Sequence, residues 1–352
     1  MKKIITSTLL IFVVLTAIFG ETISFQKRND NNYRGISIFA NAAKIIATGN
    51  CGEIDEEKGL NGKQVKWTLD SDGLLIISGV GSIKQYSLID SPWYSDSNIK
   101  IIMIQNGVES IGSNSFGYCY SLESVYIPDS VTNIGDHAFV GCLNLISVEM
   151  GNGVKTIGEA AFEGCAKLKS ATIPDSVSII GSGAFGYCEG LTSVAIPEGV
   201  TTIENSVFSC CSSLVSVSIP DSVTSIENSA FSACWNLSSV IIPVSVNEIE
   251  ERAFGTSSVL LYVYSGSYAQ EWAKNNKMRY RMVSDLIGDP DSDGKYTSAD
   301  ARLALRASVQ LEKYVKGSAQ FFAVDVNKDG KITPDDARFI LRVSVNLESF
   351  DL

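Results

Sequence analysis

Phenylalanine stands at positions 116, 139, 162, 185, 208, 231 and 254, and every interval is 23 residues. A strict period of this length restricts the fold to a solenoid. One unit is too small to bury its own apolar face and must stack on the next. Cysteine follows the first six phenylalanines by three positions, at Cys119, Cys142, Cys165, Cys188, Cys211 and Cys234, and leucine follows by three more, from Leu122 to Leu237. A short strand-like stretch comes next ("SVYIP", "SVAIP", "SVSIP"), then a valine (Val131 to Val246) and an isoleucine (Ile134 to Ile249) that close the unit.

Within "LESVYIP", alternation along a strand points Val125 and Ile127 inward and Ser124 and Tyr126 outward. Pro128 lacks the amide donor to continue a ladder, so the strand ends there. The outward columns are then Ser124, Ser147, Ser170, Ser193, Ser216 and Ser239, beside Tyr126, Glu149, Thr172, Ala195, Ser218 and Ile241. Tyr118, Tyr187 and Trp235, next to the cysteine column, form a second candidate patch.

Eight cysteines invite the question of a disulfide framework, which an oxidising compartment would allow. Six of them, however, hold one repeat position, which suits a small buried hydrophobe and predicts free thiols. Cys51 and Cys210 lie outside the column, and no bond between them is predicted. His137 is the single histidine and reads as a surface residue, which excludes a His-based triad or a multi-His metal site.

The segment "IGSNSFGYCYSLESVYIPDSVTNIGDHAF" resembles the BspA-type leucine-rich repeat of bacterial surface and secreted proteins. The resemblance covers about residues 101 to 264. It extends to "WTLDSDGLLIISGVGSI", similar to the β-rich segment before such arrays, and to "LYVYSGSYAQEWAKNNKMRY", similar to their closing strand and helix. It implies a parallel-β solenoid with short helical or irregular segments and a β-rich N-terminal cap. It also implies recognition of a protein or surface ligand, without naming that ligand.

The C-terminal region carries a second pattern. "DPDSDGKYTSAD" (Asp289 to Asp300) and "DVNKDGKITPDD" (Asp325 to Asp336) place oxygen donors at positions 1, 3, 5, 7, 9 and 12 of a twelve-residue loop. Calcium is a hard cation that takes six to eight oxygens, and this spacing supplies them. The expected ligands are Asp289, Asp291, Asp293, the Lys295 carbonyl, Thr297 and Asp300, then Asp325, Asn327, Asp329, the Lys331 carbonyl, Thr333 and Asp336. Gly294 and Gly330 take position 6, where the chain turns sharply. Thr297 and Thr333 are the weaker assignments, because position 9 often acts through a water.

From loop start to helix end the two stretches agree at 14 of 24 positions with an offset of 36, and both run through "DAR" into an apolar-periodic helix. Two such EF-hand-like loop–helix repeats ending in Asp resemble a type I dockerin, covering about 285 to 352. The resemblance implies a small all-α module holding two Ca2+ ions. It also implies that the partner is a cohesin module on the scaffolding protein of a cellulosome. Contact positions would be Ser298, Ala299, Arg302, Leu305 and Arg306 in the first repeat, and Pro334, Asp335, Arg338, Leu341 and Arg342 in the second. Since Ser298-Ala299 differs from Pro334-Asp335, one binding orientation is expected to dominate.

The N-terminus, "MKKIITSTLLIFVVLTAIFG", has the basic start and apolar run of a secretory signal. The expected organisation is a leader over 1–42 with an unassigned cleavage site, a β-rich cap over 43–100, repeats over 101–264, a closing cap and linker over 265–284, and the dockerin-like module over 285–352. The expected location is extracellular, at the cell surface through a cellulosome-type complex. Were the leader retained as a helix, the same chain would be a membrane-tethered adhesin.

A net charge of -11 argues against a nucleic-acid or anionic-membrane partner. A glycoside hydrolase acting in polysaccharide catabolism needs two carboxylates held in a cleft. Only about residues 43 to 100 remain for one, and there Asp70 and Asp72 read as the turn before Gly73. The expectation is therefore a non-catalytic protein.

Overall fold

A computed structural model describes residues 43–55, 60–87, 89–255, 258–291, 295–311, 314 and 316–345. The leader expected over 1–42 lies outside the described residues, as do Asp293 and Gly294 of the first acidic loop.

Each 23-residue unit contributes two short strands, and stacking aligns them in two parallel columns, the first hydrogen-bonded in three sections and the second in two. The first runs through Ile101–Ile104, Ser124–Ile127, Ser147–Met150, Ser170–Ala171, Ser193–Ala195, Ser216–Ser218 and Ser239–Ile241. The second runs through Val108–Ile111, Asn133–Ile134, Thr156–Ile157, Ile179–Ile180, Thr202–Ile203, Ser225–Ile226 and Glu248–Ile249. Pairing keeps the sequence offset. Ser147 lies beside Ser124 on one side and Ser170 on the other, and Ile157 lies between Ile134 and Ile180. One period is thus one full coil.

The sequence left room for short helices between the strands, whereas turns stand there. Two residues per coil explain this. The positions two before and two after each of the first six phenylalanines are left-handed, for example Asn114 (φ 56°) and Tyr118 (φ 60°), or Ala160 (φ 49°) and Gly164 (φ 73°). Left-handed residues cannot propagate a right-handed helix, so the chain turns around each phenyl ring instead. His137, half-buried, is one of these left-handed residues.

The seven phenylalanines form an unbroken stack, with ring centroids 5.2 to 5.8 Å apart and interplanar angles of 2° to 17°. This spacing lies within the favoured range for offset aromatic pairs. Trp93 continues the stack one period before Phe116, at 4.7 Å and 22°, and Trp272 closes it edge-on against Phe254 at 6.1 Å.

The cysteine column is tied to the same stack. Each thiol donates to the backbone carbonyl of the aromatic residue one coil earlier, from Cys119 to Trp93 (3.1 Å) through Cys165 to Phe139 (3.3 Å) to Cys234 to Phe208 (3.1 Å). A small apolar residue with one weak donor thus adds a second bond to carbonyls such as those of Phe139 and Phe162, which already accept the amides of Cys142 and Cys165. All eight cysteines are free, and burial pushes the Cys188 and Cys234 thiols up to about 12.

Both ends of the array are closed by added strands, since a bare terminal coil would expose apolar columns and ladder edges. At the start, Ile45–Asn50 pairs antiparallel with Val65–Asp70, which pairs antiparallel with Leu74–Gly79, and only that strand joins the parallel ladder at Ile101–Ile104. Asp70 Oδ1 accepts from the amides of Asp72 and Leu74 in the turn between two of these strands. At the far end, Leu260–Val263 and Tyr280–Met282 add two parallel rungs, with helix α1 (Tyr268–Asn275) between them.

The remaining chain holds helices α2 (Ser298–Ser308), α3 (Ala319–Val324) and α4 (Pro334–Ser344). Helices α2 and α4 pack through small side chains, Ala301, Ala304 and Ala307 against Ala337 and Ile340, with Val324 between them. Helix α3, which starts at the capping residue Ser318, was not expected from the sequence.

Candidate functional site

The two acidic loops share one local construction. In each, loop position 9 is the N-cap of the following helix and position 12 is its third residue. Thr297 Oγ1 accepts from the Ala299 amide, while Asp300 Oδ2 accepts from the Thr297 amide at 2.7 Å and its hydroxyl at 3.0 Å. Thr333 and Asp336 repeat this, with 2.8 and 3.0 Å for the same two bonds. Such reciprocal caps satisfy the amide donors that a helix start leaves open. The threonine hydroxyls assigned to position 9 therefore have a capping role of their own.

In the first loop, Asp289 and Asp300 are buried and Asp291 is exposed, and one carboxylate oxygen from each lies within 4.8 Å of the others. Two oxygens bound to one calcium at 2.3–2.6 Å are separated by at most about 5.2 Å, so the three fit a single ion. The Lys295 backbone follows in an exposed stretch, and Arg281 Nη1 lies 3.6 Å from Asp289 Oδ2.

In the second loop, Asp325 accepts from the amides of Asp329 (3.1 Å) and Gly330 (2.8 Å), and Asp336 Oδ1 accepts from Val326 (3.2 Å). Gly330 is left-handed (φ 76°), as a sharp turn at position 6 requires. Asn327 and Asp329 are exposed and bonded to each other, and the Asp329 carboxylate also accepts from the Lys331 amide. Among the described residues, three carboxylates converge on one point in the first loop only.

Burial pushes the Asp325 carboxyl up from its ordinary value, with Asp336 and Asp329 adding to the rise and the Gly330 and Asp329 amides opposing it. A raised folded-state value means that the metal-free loop binds protons better than the unfolded chain. Its stability therefore falls as pH rises through the carboxylate range.

All ten residues expected to meet a partner are exposed: Ser298, Ala299, Arg302, Leu305 and Arg306 on one repeat, Pro334, Asp335, Arg338, Leu341 and Arg342 on the other. Arg338 pairs with Asp335 at 2.8 Å, both open to solvent. On the solenoid, Tyr118 meets Tyr94 and Tyr120 edge-on at 5.6 and 6.1 Å. Tyr187 stands three coils farther along and Trp235 five, both exposed. The patch expected from Tyr118, Tyr187 and Trp235 is therefore spread along a ridge. Tyr94 and Tyr120 were missed, although "SPWY" and "YCY" carry them in the sequence.

The chain matches the BspA type leucine rich repeat region over residues 87–188 and 155–272, six copies spanning more than half of its length. It belongs to that family. Among solved structures it is similar to a leucine rich cell surface protein from Faecalibacterium prausnitzii, at 35% identity over 59% of this chain and 54% of that one, with a TM-score of 0.46. It is also similar to a Treponema pallidum leucine rich repeat protein (T. pallidum TpLRR), at 27% identity over 51% and 90%, TM-score 0.40. A third is a leucine-rich repeat protein from Bacteroides ovatus, at 26% identity over 60% and 57%, TM-score 0.41. The chain spans about half the length of the Faecalibacterium protein. No curated protein matches it. Among the described residues no helix is long and apolar enough to cross a membrane.

Proposed function

We propose that this is a non-catalytic, exported protein in which residues 285–352 form a calcium-dependent, dockerin-like anchoring module and the solenoid displays a recognition surface. The convergence of Asp289, Asp291 and Asp300 carries the reading. Two loop–helix units of the same pattern stand 36 residues apart, each with its position-12 aspartate buried at a helix start.

Calcium would be held by Asp289, Asp291, Asp293, the Lys295 carbonyl and Asp300 in one loop, and by Asp325, Asn327, Asp329, the Lys331 carbonyl and Asp336 in the other. It would neutralise carboxylates that a thin alanine core cannot otherwise support. The helix faces carrying Arg302, Leu305 and Arg306, and Arg338, Leu341 and Arg342, would then meet a cohesin on a scaffolding protein.

The test is calorimetric titration of the full chain, first with calcium and then, calcium-loaded, with a panel of cohesins. Two calcium equivalents followed by chelator-sensitive cohesin binding is the expected result. Calcium uptake without cohesin binding would remove the anchoring role and leave a calcium-stabilised surface-recognition protein.

A further inference from the structure

The C-terminal region lies on the solenoid, and helix α3 makes the contact. Ala319 and Ala323 pack with Ile241, Leu260 and Tyr262 of the last rungs, and Leu286 and Val283 complete the cluster. The outward serines record the covered area: Ser147 and Ser170 are exposed, whereas Ser216 and Ser239 keep only 6% and 3% of their surface. The same strand position thus changes from wet to dry where α3 sits. Gly317, left-handed at φ 83°, passes so close to Ser218 that any Cβ there would collide with its hydroxyl.

Both acidic loops start from this contact. Gly288, the residue before Asp289, donates to the Ala323 carbonyl at 2.8 Å. Asp289 lies 3.6 Å from Arg281 on the last rung. Asp325 directly follows Val324, the end of α3, and donates its amide to Phe321 at 2.9 Å. No slack segment separates either loop from the solenoid surface.

We infer that α3 couples calcium uptake by the loops to the stability of the solenoid's last coils, so that the C-terminal module acts as a calcium-tightened cap on the sheet face. The inference rests on the calcium reading proposed above. A ligand that binds only the ordered loops suppresses every opening that disorders them, by a factor of about 1 + [L]/Kd. If α3 must leave the sheet for the last rungs to open, those rungs share the protection. At a calcium concentration of 100 Kd each bound ion contributes up to about a hundredfold to the shared factor.

Hydrogen exchange of the full chain, with calcium and then with chelator, tests this. Calcium is expected to slow exchange within 289–344 and also at Ser216–Ser218, Ser239–Ile241 and Leu260–Val263. Rates at Ser124–Ile127 stay unchanged. Ile241→Glu provides the control, because Glu149 already occupies the same outward column and the substitution leaves the module's own residues intact. In that variant calcium should still protect the loops but no longer the rungs. Protection confined to 289–344 in the parent chain, or persisting at the rungs in Ile241→Glu, would overturn the coupling alone. No calcium effect anywhere would overturn the calcium reading with it.

Discussion

The solenoid stacks seven near-parallel phenyl rings in a continuous dry interior, whereas the C-terminal module, among the described residues, is held by four alanines, Val324 and Ile340 and contains four buried aspartates, Asp289, Asp300, Asp325 and Asp336. In the first region each coil presents its neighbour with the same apolar columns, and stability accumulates along the array. In the second, the little interior there is includes charge, which costs free energy unless it is compensated. One region is stabilised by what it keeps from water, and the other, on the calcium reading proposed above, would be stabilised by what it binds. Covalent continuity through Tyr280–Met282 and the seating of α3 would then bring these two kinds of stability together.

Breaking each region's main support gives effects of different size and kind. Phe162→Ala opens a cavity between rings at 5.2 and 5.4 Å and should cost about 3–5 kcal/mol in chemical denaturation. It should leave the calcium affinity of the C-terminal loops unchanged within about twofold, since nearest-neighbour terms dominate in such arrays. Asp336→Ala removes the partner of the Thr333 cap and the acceptor of the Val326 amide. By circular dichroism it should cost the chelated protein about 1–3 kcal/mol of α4 stability, and one calcium equivalent should vanish in titration. The smallest effect is expected from Arg338→Ala. Its pair with Asp335 is largely exposed, so the stability change should stay within about a few tenths of a kcal/mol. A loss of cohesin affinity without that stability change would mark Arg338 as a contact residue.

Much of the solenoid was legible because one residue type per position recurs at a fixed interval. The phenylalanine, cysteine and leucine columns, the strand at "SVYIP" and the free thiols all follow from that interval. Trp93 escaped notice even though it lies one period before Phe116. A different aromatic heads the column there, and Asp96 stands where the later coils carry cysteine. The thiol-to-carbonyl bonds are invisible in sequence, because they span 26 residues and depend on the coil's path.

In the first acidic loop, three of the positions picked out by the spacing, Asp289, Asp291 and Asp300, lie together, while the capping role of Thr297 and Thr333 emerged only from the helix starts. The seating of α3 on the sheet had one sequence trace, an isoleucine at position 241 in an outward column otherwise filled by smaller or polar side chains and one tyrosine. Reading that trace requires knowing which segment returns to cover it, and nothing local to Ile241 says so.

The thiol bonds also set a unit of length. Every cysteine of the repeat column reaches back to a carbonyl of the preceding coil, and every phenyl ring of the column lies over the aromatic ring 23 residues earlier. A deletion of 23 residues inside the array returns each donor to an equivalent acceptor and each ring to an equivalent neighbour. A deletion of ten returns none of them. The molecule can therefore grow or shrink only in whole steps, and the distance between its two capped ends is counted in coils.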